Sequence, residues 1–231
     1  MRPELIPKVM LGTSPFIGAG QFGMRSFLYY AQLYENPKNM EKIILKSYEL
    51  GVRGIQALPY ERILNAIKNV ERKIGEKFII IATICSEEDF EKFNEFDVMA
   101  MILHASIVDG KNKEITKILN HIDYLGFKSG IATHAPFSIL NWLLKINIHF
   151  DVMMIPFNKI GKFMDAKPEI IIELAKKFNK PIIGKKVLAA GSLKPREALE
   201  YASKFLNAVA LGIASEKEAI ETFKIALEFF K

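Results

Sequence analysis

Cysteine is nearly missing from this sequence: Cys85 is the only one among 231 residues. A lone thiol excludes an intrachain disulfide and a thiolate zinc cluster. Long apolar runs are missing too, and none reaches the ~18 residues that a membrane-spanning helix needs. The opening MRPELIPKVMLG has no signal-peptide core ahead of a small-residue cleavage site, so a cytoplasmic location is expected. The formal net charge is +6, yet the basic residues are scattered and alternate with glutamates, as in EKEAIETFK. Without a clustered basic face the chain is not expected to bind nucleic acid, and without an apolar span it is not expected to enter a membrane. A small-molecule substrate is the partner the sequence predicts, with homo-oligomerisation left open. No Pro/Ser-rich linker divides the chain, which predicts one domain over 1–231. Glutamine is scarce (Gln21, Gln32, Gln56) beside many Lys, Ile and Glu, a bias that suits a thermophile.

What is present is a rhythm. Near-continuous apolar segments at 8–12, 52–57, 77–84, 97–104, 127–134, 151–157, 181–190 and 207–214 read as strands covered on both faces. Amphipathic stretches at 38–50, 60–74, 87–95, 112–125, 137–146, 167–179, 194–205 and 215–230 follow them in alternation. Ser215 and Glu218 form a capping box at the start of the last helix, and Pro168 and Pro195 fall where helix starts tolerate proline. Eight strand–helix units in a chain of this length predict an α/β fold, a single (β/α)8 TIM barrel.

The rhythm is broken after the first strand, where residues 13–36 form an unusually long connection. It contains FIGAGQFG, with Gly18, Gly20 and Gly23 at the G-x-G-x-x-G spacing of a dinucleotide fingerprint. The context does not match. TSPF separates strand 1 from the glycines, the next strand begins too late for a compact βαβ unit, and no acid follows at the right distance. The segment is expected to be a lid over the C-terminal face, where barrel active sites lie, with Ser14, Gln21 and Arg25 able to reach a substrate.

Alternate residues of a barrel strand point inward. Counted this way, the inner series are Gly54–Gln56, Val98–Ala100–Ile102–His104, Gly130–Ala132–His134, Met154–Pro156–Asn158 and Ile182–Gly184–Lys186. Each ends in one polar group at the rim. Lys186 is expected to hold a substrate carboxylate or phosphate, or, if desolvated, to attack a carbonyl as a nucleophile. Lys185 has the opposite parity and is expected to point outward. His104 and His134 are the acid and base candidates, and Gln56, Asn158, Tyr60 and Ser14 are the substrate-binding ones. Asp109 either orients His104 or serves a turn. Tyr60 is a proton donor or packing, and Cys85 is expected to be inert. His104 and His134 can share a divalent metal with Asn158 or Asp109, but no HxH or HExxH spacing supports one, and no metal site is predicted. Gly191 and Ser192, with Gly212 and Ser215, occupy a corner where such barrels bind phosphate.

Five phrases, VMLGTSPFIG, ELGVRGIQA, MILHAS, PIIGKKVLAAGSL and AVALGIASEKEAIET, resemble the aldo-keto-reductase-like (β/α)8 barrels, in the right order across nearly the whole chain. LHASIVDG, GIATHAP and KKVLAAG are closer still to a little-characterised branch of that superfamily. The resemblance implies an Asp, Tyr, Lys and His tetrad, with NADPH lying over the loops of strands 7 and 8. Carried over, His104 matches the histidine, Gln56 stands at the aspartate, Tyr60 falls about one residue short of the tyrosine, and Ile84 stands at the lysine. Most of the tetrad is therefore absent. The leading expectation is a lyase- or aldolase-like enzyme acting on a small anionic carbonyl or phosphorylated metabolite through Lys186, His104 and His134. An NADP-dependent reductase with a degenerate tetrad and a non-catalytic ligand-binding barrel are the alternatives.

Overall fold

The computed structural model describes residues 6–231; the first five residues of the opening read above lie outside that range. Eight parallel strands close on themselves in sequence order: β1 (Val9–Gly12), β2 (Gly54–Ala57), β3 (Ile79–Ile84), β4 (Asp97–Leu103), β5 (Lys128–Ala132), β6 (Val152–Pro156), β7 (Ile182–Lys185) and β8 (Ala208–Gly212). β8 pairs with β1, Val9 opposite Val209, which closes the TIM barrel. The inside holds a small apolar layer that includes Met10, Ile81, Ile102, Val152, Met154 and Ile183. The larger core lies outside the strands, under the helices. No helix among the described residues is long and apolar enough to cross a membrane.

The helices are α1 (Arg25–Tyr29), α2 (Pro37–Glu49), α3 (Glu61–Ile74), α4 (Asp89–Lys92), α5 (Ala105–Val108), α6 (Ile115–Tyr124), α7 (Pro136–Ile146), α8 (Pro168–Lys176), α9 (Pro195–Ser203) and α10 (Glu216–Phe229). Proline opens α2, α7, α8 and α9, where a missing N–H costs nothing. Ser215 Oγ accepts from the Glu218 amide while the Glu218 carboxylate accepts from the Ala214 amide, so the capping box is formed.

Three departures from the expected pattern matter for the site. The stretch 87–95 is helical for one turn only, α4. In β4 a bulge shifts the pairing between Ile80 and Ile81, so Val98, expected inside, packs with the outer core, and the inner parity holds from Ala100 onward. β7 stops at Lys185 instead of running to residue 190. The backbone turns left-handed at Lys186 (φ 57°), Ala189 (φ 49°) and Ala190 (φ 54°), which no strand accommodates.

Candidate active site

A cavity of about 570 Å³ opens at the C-terminal mouth of the barrel. Its floor comes from inward positions at the strand ends: Gly12, Gln56, Thr83, Ala132, Met154 and Ala210. The chain after β1 forms one wall. This segment is tightly turned. Two short 3-10 turns, Ser14–Ile17 and Gly20–Phe22, lead into α1 and then a π turn at Tyr30–Tyr34. Gly18 is left-handed (φ 59°), and a Cβ there would lie 2.3 Å from the Ser26 carbonyl oxygen. That glycine is needed to fold the segment on itself, not to approach a pyrophosphate. Ser14 and Gln21 both face the cavity and meet each other, Gln21 Nε2 donating to Ser14 Oγ at 3.3 Å. Arg25 reaches across and donates to the Ala190 carbonyl beyond β7.

The chemistry gathers on β4, β5 and β7. The inner face of β7 carries Ile183 and therefore Lys185, the reverse of the parity read from the sequence. Lys186 follows the strand, and its left-handed backbone brings its side chain back to the same mouth. Both ammonium groups approach one atom, His134 Nδ1, at 3.4 Å from Lys185 and 3.3 Å from Lys186. The His104 ring stands edge-on to His134 with centroids 5.9 Å apart. His104 Nδ1 accepts the Ser106 amide N–H at 3.1 Å, so the proton of the neutral ring sits on Nε2.

Burial sets the charges. It lowers the Lys185 pKa to about 7, helped by the neighbouring Lys186 charge and opposed by Asp109. Lys186 is lowered in the same way, by burial against the pull of Asp109. His134 is pushed down to about 3 by burial, then by Lys185, Lys186 and His104. His104 is lowered by burial and by Lys185. The two imidazoles are neutral at pH 7, and they face lysines that no carboxylate neutralises by an ion pair among the described residues.

Other expected site residues are placed differently. Asp109 does not touch His104. Its carboxylate accepts from Thr133 Oγ1 at 2.5 Å and from the His134 amide at 3.0 Å, which fixes the end of β5. Asn158 is 1% exposed and turned away from the cavity. Its amide donates to the Lys162 carbonyl at 2.8 Å and to the Lys186 carbonyl at 3.3 Å, so it shapes the backbone that carries Lys186. Of the phosphate corner, Gly191 and Gly212 line the cavity, but Ser192 accepts from Lys162 Nζ at 2.7 Å and Ser215 is used as the cap. With Glu216 and Glu218 in its first turn, the start of α10 does not favour phosphate. No group of three or more His, Cys, Asp or Glu side chains arranged for a metal occurs among the described residues. Thr83, Tyr29 and Glu221 line the cavity without having been singled out in the sequence, and so do Lys185, expected to point outward, and Glu218, read only as a capping residue.

No family model matches the chain, and no curated protein matches its sequence. Solved structures do match, over nearly all of it. A Pseudomonas aeruginosa protein assigned as an aldo-keto reductase superposes with a TM-score of 0.70 at 17% identity, covering 97% of this chain and 91% of its own. Aldose reductase from Giardia lamblia gives 0.65 at 12% identity, covering 99% and 91%. A Gox0644 variant in complex with NADPH gives 0.67 at 11% identity, covering 95% and 83%. The fold is that of the aldo-keto reductases. Identity this low carries the fold and leaves the chemistry to the residues.

On this barrel the tetrad that the resemblance implies is largely missing. Gln56, at the aspartate position, donates to Thr83 Oγ1 at 2.6 Å. Ile84, at the lysine position, is buried in the outer core, and the neighbours that face the mouth are Thr83 and Cys85. Tyr60 lines the cavity, 40% exposed, with its pKa raised by burial and then by Cys85. The Cys85 thiol is raised by burial and by Asp89, consistent with an unreactive thiol.

Proposed function

We propose that the protein is a carbonyl reductase in which a nicotinamide nucleotide reduces a small anionic aldehyde or ketone. The observation that carries this reading is one continuous cavity joining the lysine–histidine cluster to the corner between β7 and β8. The walls of that corner suit a nucleotide. Gly191 and Gly212 present bare backbone, Arg25 offers a guanidinium to a pyrophosphate, and Glu218 and Glu221 offer carboxylates to ribose hydroxyls. The Pseudomonas and Giardia structures are reductases by name, and Gox0644 was solved with NADPH. That supports reduction over the lyase chemistry expected from the lysine alone.

When bound, the nucleotide supplies hydride to the carbonyl carbon. The rest falls to this chain. Lys186 and Lys185 hold the anionic group of the substrate and so fix which way the carbonyl points. His104 offers its Nε2–H to the carbonyl oxygen, and Lys185, with a proton affinity near neutrality, replenishes the proton that oxygen takes up. Tyr60 has no lysine beside it to strengthen it as an acid. The proton source has moved from the end of β2 to the ends of β4 and β7. The test is a titration with NADH and with NADPH, followed by nucleotide fluorescence and thermal stabilisation, and then nucleotide oxidation across short aldehydes and 2-oxo acids. Absence of binding at millimolar nucleotide removes the reading.

A further inference from the structure

Lys185 is built unlike a lysine that only holds an anion. It lies on the inner face of β7, above Ile183, and it is enclosed by Lys186, His134 and His104. Asp109 faces the cluster, but its carboxylate is spent on the Thr133 hydroxyl and the His134 amide. Two lysine side chains therefore share one imidazole nitrogen, with no carboxylate among the described residues paired to either. Enclosure and a like-charged neighbour both favour the free amine at Lys185, and a free amine is the nucleophile for carbonyls. Lys186 differs. Its ammonium lies 5.1 Å from the Phe163 ring centroid, a cation–π contact that favours the charged form.

We infer that Lys185 captures small anionic carbonyl compounds covalently, as an imine, in the same mouth. In the forming step the Lys185 nitrogen adds to the carbonyl carbon and the carbonyl π electrons move to oxygen. The proton the nitrogen loses passes to that oxygen through solvent in the open mouth, while His134 Nδ1, 3.4 Å from the amine, accepts a hydrogen bond that orients the nitrogen. His104 Nε2–H donates a hydrogen bond to the departing hydroxyl, which takes up the nitrogen's second proton and leaves as water as the nitrogen lone pair forms the C=N bond. One amine and one carbonyl compound give one imine and one water, with no oxidant or reductant. Lys186 holds the anionic group through capture. Hydride transfer to such an imine would leave Lys185 permanently alkylated, so capture does not serve the reduction proposed above. It assigns to this mouth a separate, non-redox activity on the same compound class: exchange or cleavage at the carbon beside the carbonyl, which an imine activates as an electron sink.

The test uses the full chain without nucleotide, so its result stands whether or not a nucleotide binds. Protein is incubated with glyoxylate or pyruvate and sodium borohydride, digested, and its lysines scored by peptide mass spectrometry. The expected result is an adduct on Lys185 at least tenfold above the mean of the surface lysines, retained in Lys186→Met at high carbonyl concentration and absent in Lys185→Met. The comparison among lysines of the wild-type protein needs no variant, so a misfolded Lys185→Met does not obscure it. Labelling concentrated on Lys186, labelling spread evenly over surface lysines, or no adduct on Lys185 overturns the inference.

Discussion

Lys185 and His134 resist protonation in opposite pH ranges, and each leaves a mark on stability. In the unfolded chain Lys185 holds its proton up to about pH 10.4, whereas in the fold it does so only to about 7. Between those values the unfolded chain binds more protons, so stability rises with pH across the window and the cost of the buried charge is carried in full below it. His134 gains a proton below about 6.5 when unfolded but only near 3 when folded. Stability therefore falls as pH drops from 6.5 toward 3. Melts by circular dichroism from pH 4 to 10 should show Tm climbing across both windows. Lys185→Met should melt several degrees above wild type at pH 6, since ~1 kcal/mol moves Tm by about 2–4 °C at this size. His134→Gln should flatten the acid limb. A wild-type profile that is level from pH 7 to 10 would contradict the placement of Lys185. These residues were only partly legible in the sequence. IIGKK is apolar on both faces of β7, so nothing in it tells whether Ile182 or Ile183 points inward, and the choice between two adjacent lysines hangs on that parity. His104 and His134 were easier, because Ala100, Ile102, Gly130 and Ala132 below them fit only the narrow inside. Asn158 lies away from the rim because the strand ends at Pro156 and the chain turns before reaching it.

At the scale of elements, the segment after β1 and the turn after β7 are locked together by Arg25 and Ala190. Neither was legible, because their partners are distant in the sequence. Arg25 meets a carbonyl 165 positions on. Glu218 and Glu221 reach the cavity only because α10 starts where β8 closes on β1. On the proposed reductase reading, these two carboxylates would set a nucleotide preference. They would accept hydrogen bonds from a ribose diol and repel a ribose phosphate. NADH should bind at least tenfold more tightly than NADPH, by calorimetric titration. Glu221→Gln, which spares the capping box, should narrow the gap, and tighter binding of NADPH by the wild type would contradict this reading of the corner. The glycines of FIGAGQFG have a different job. Gly18→Ala places a methyl against the Ser26 carbonyl at positive φ. It should cost about 1 kcal/mol or more and speed hydrogen exchange across 14–30 while the barrel strands keep their protection.

At the scale of the molecule, the barrel was the most legible feature, since eight apolar strands alternating with amphipathic helices leave few topologies that bury every strand face. What the pattern did not convey is how closely that narrow inside is filled. Gly130 shows it. A Cβ there would lie 2.7 Å from Val152 Cγ1 and 2.8 Å from Ile102 Cγ1, with the Val152 carbonyl oxygen at 2.9 Å. β5 is paired to both β4 and β6, and the ring of eight strands has no edge along which it can slip aside. Gly130→Val must therefore push several inner residues off their rotamers together, which typically costs about 1–3 kcal/mol. In urea the midpoint should fall while the slope stays that of wild type, because the same surface is exposed when the ring opens. Arg25→Ala, which frees the segment over the mouth but leaves the ring untouched, should move that midpoint by no more than a few tenths of a kcal/mol's worth. If both variants shift it equally, the mouth segment and the barrel unfold as one unit. The division between a rigid ring and a separately held cover would then have to be abandoned.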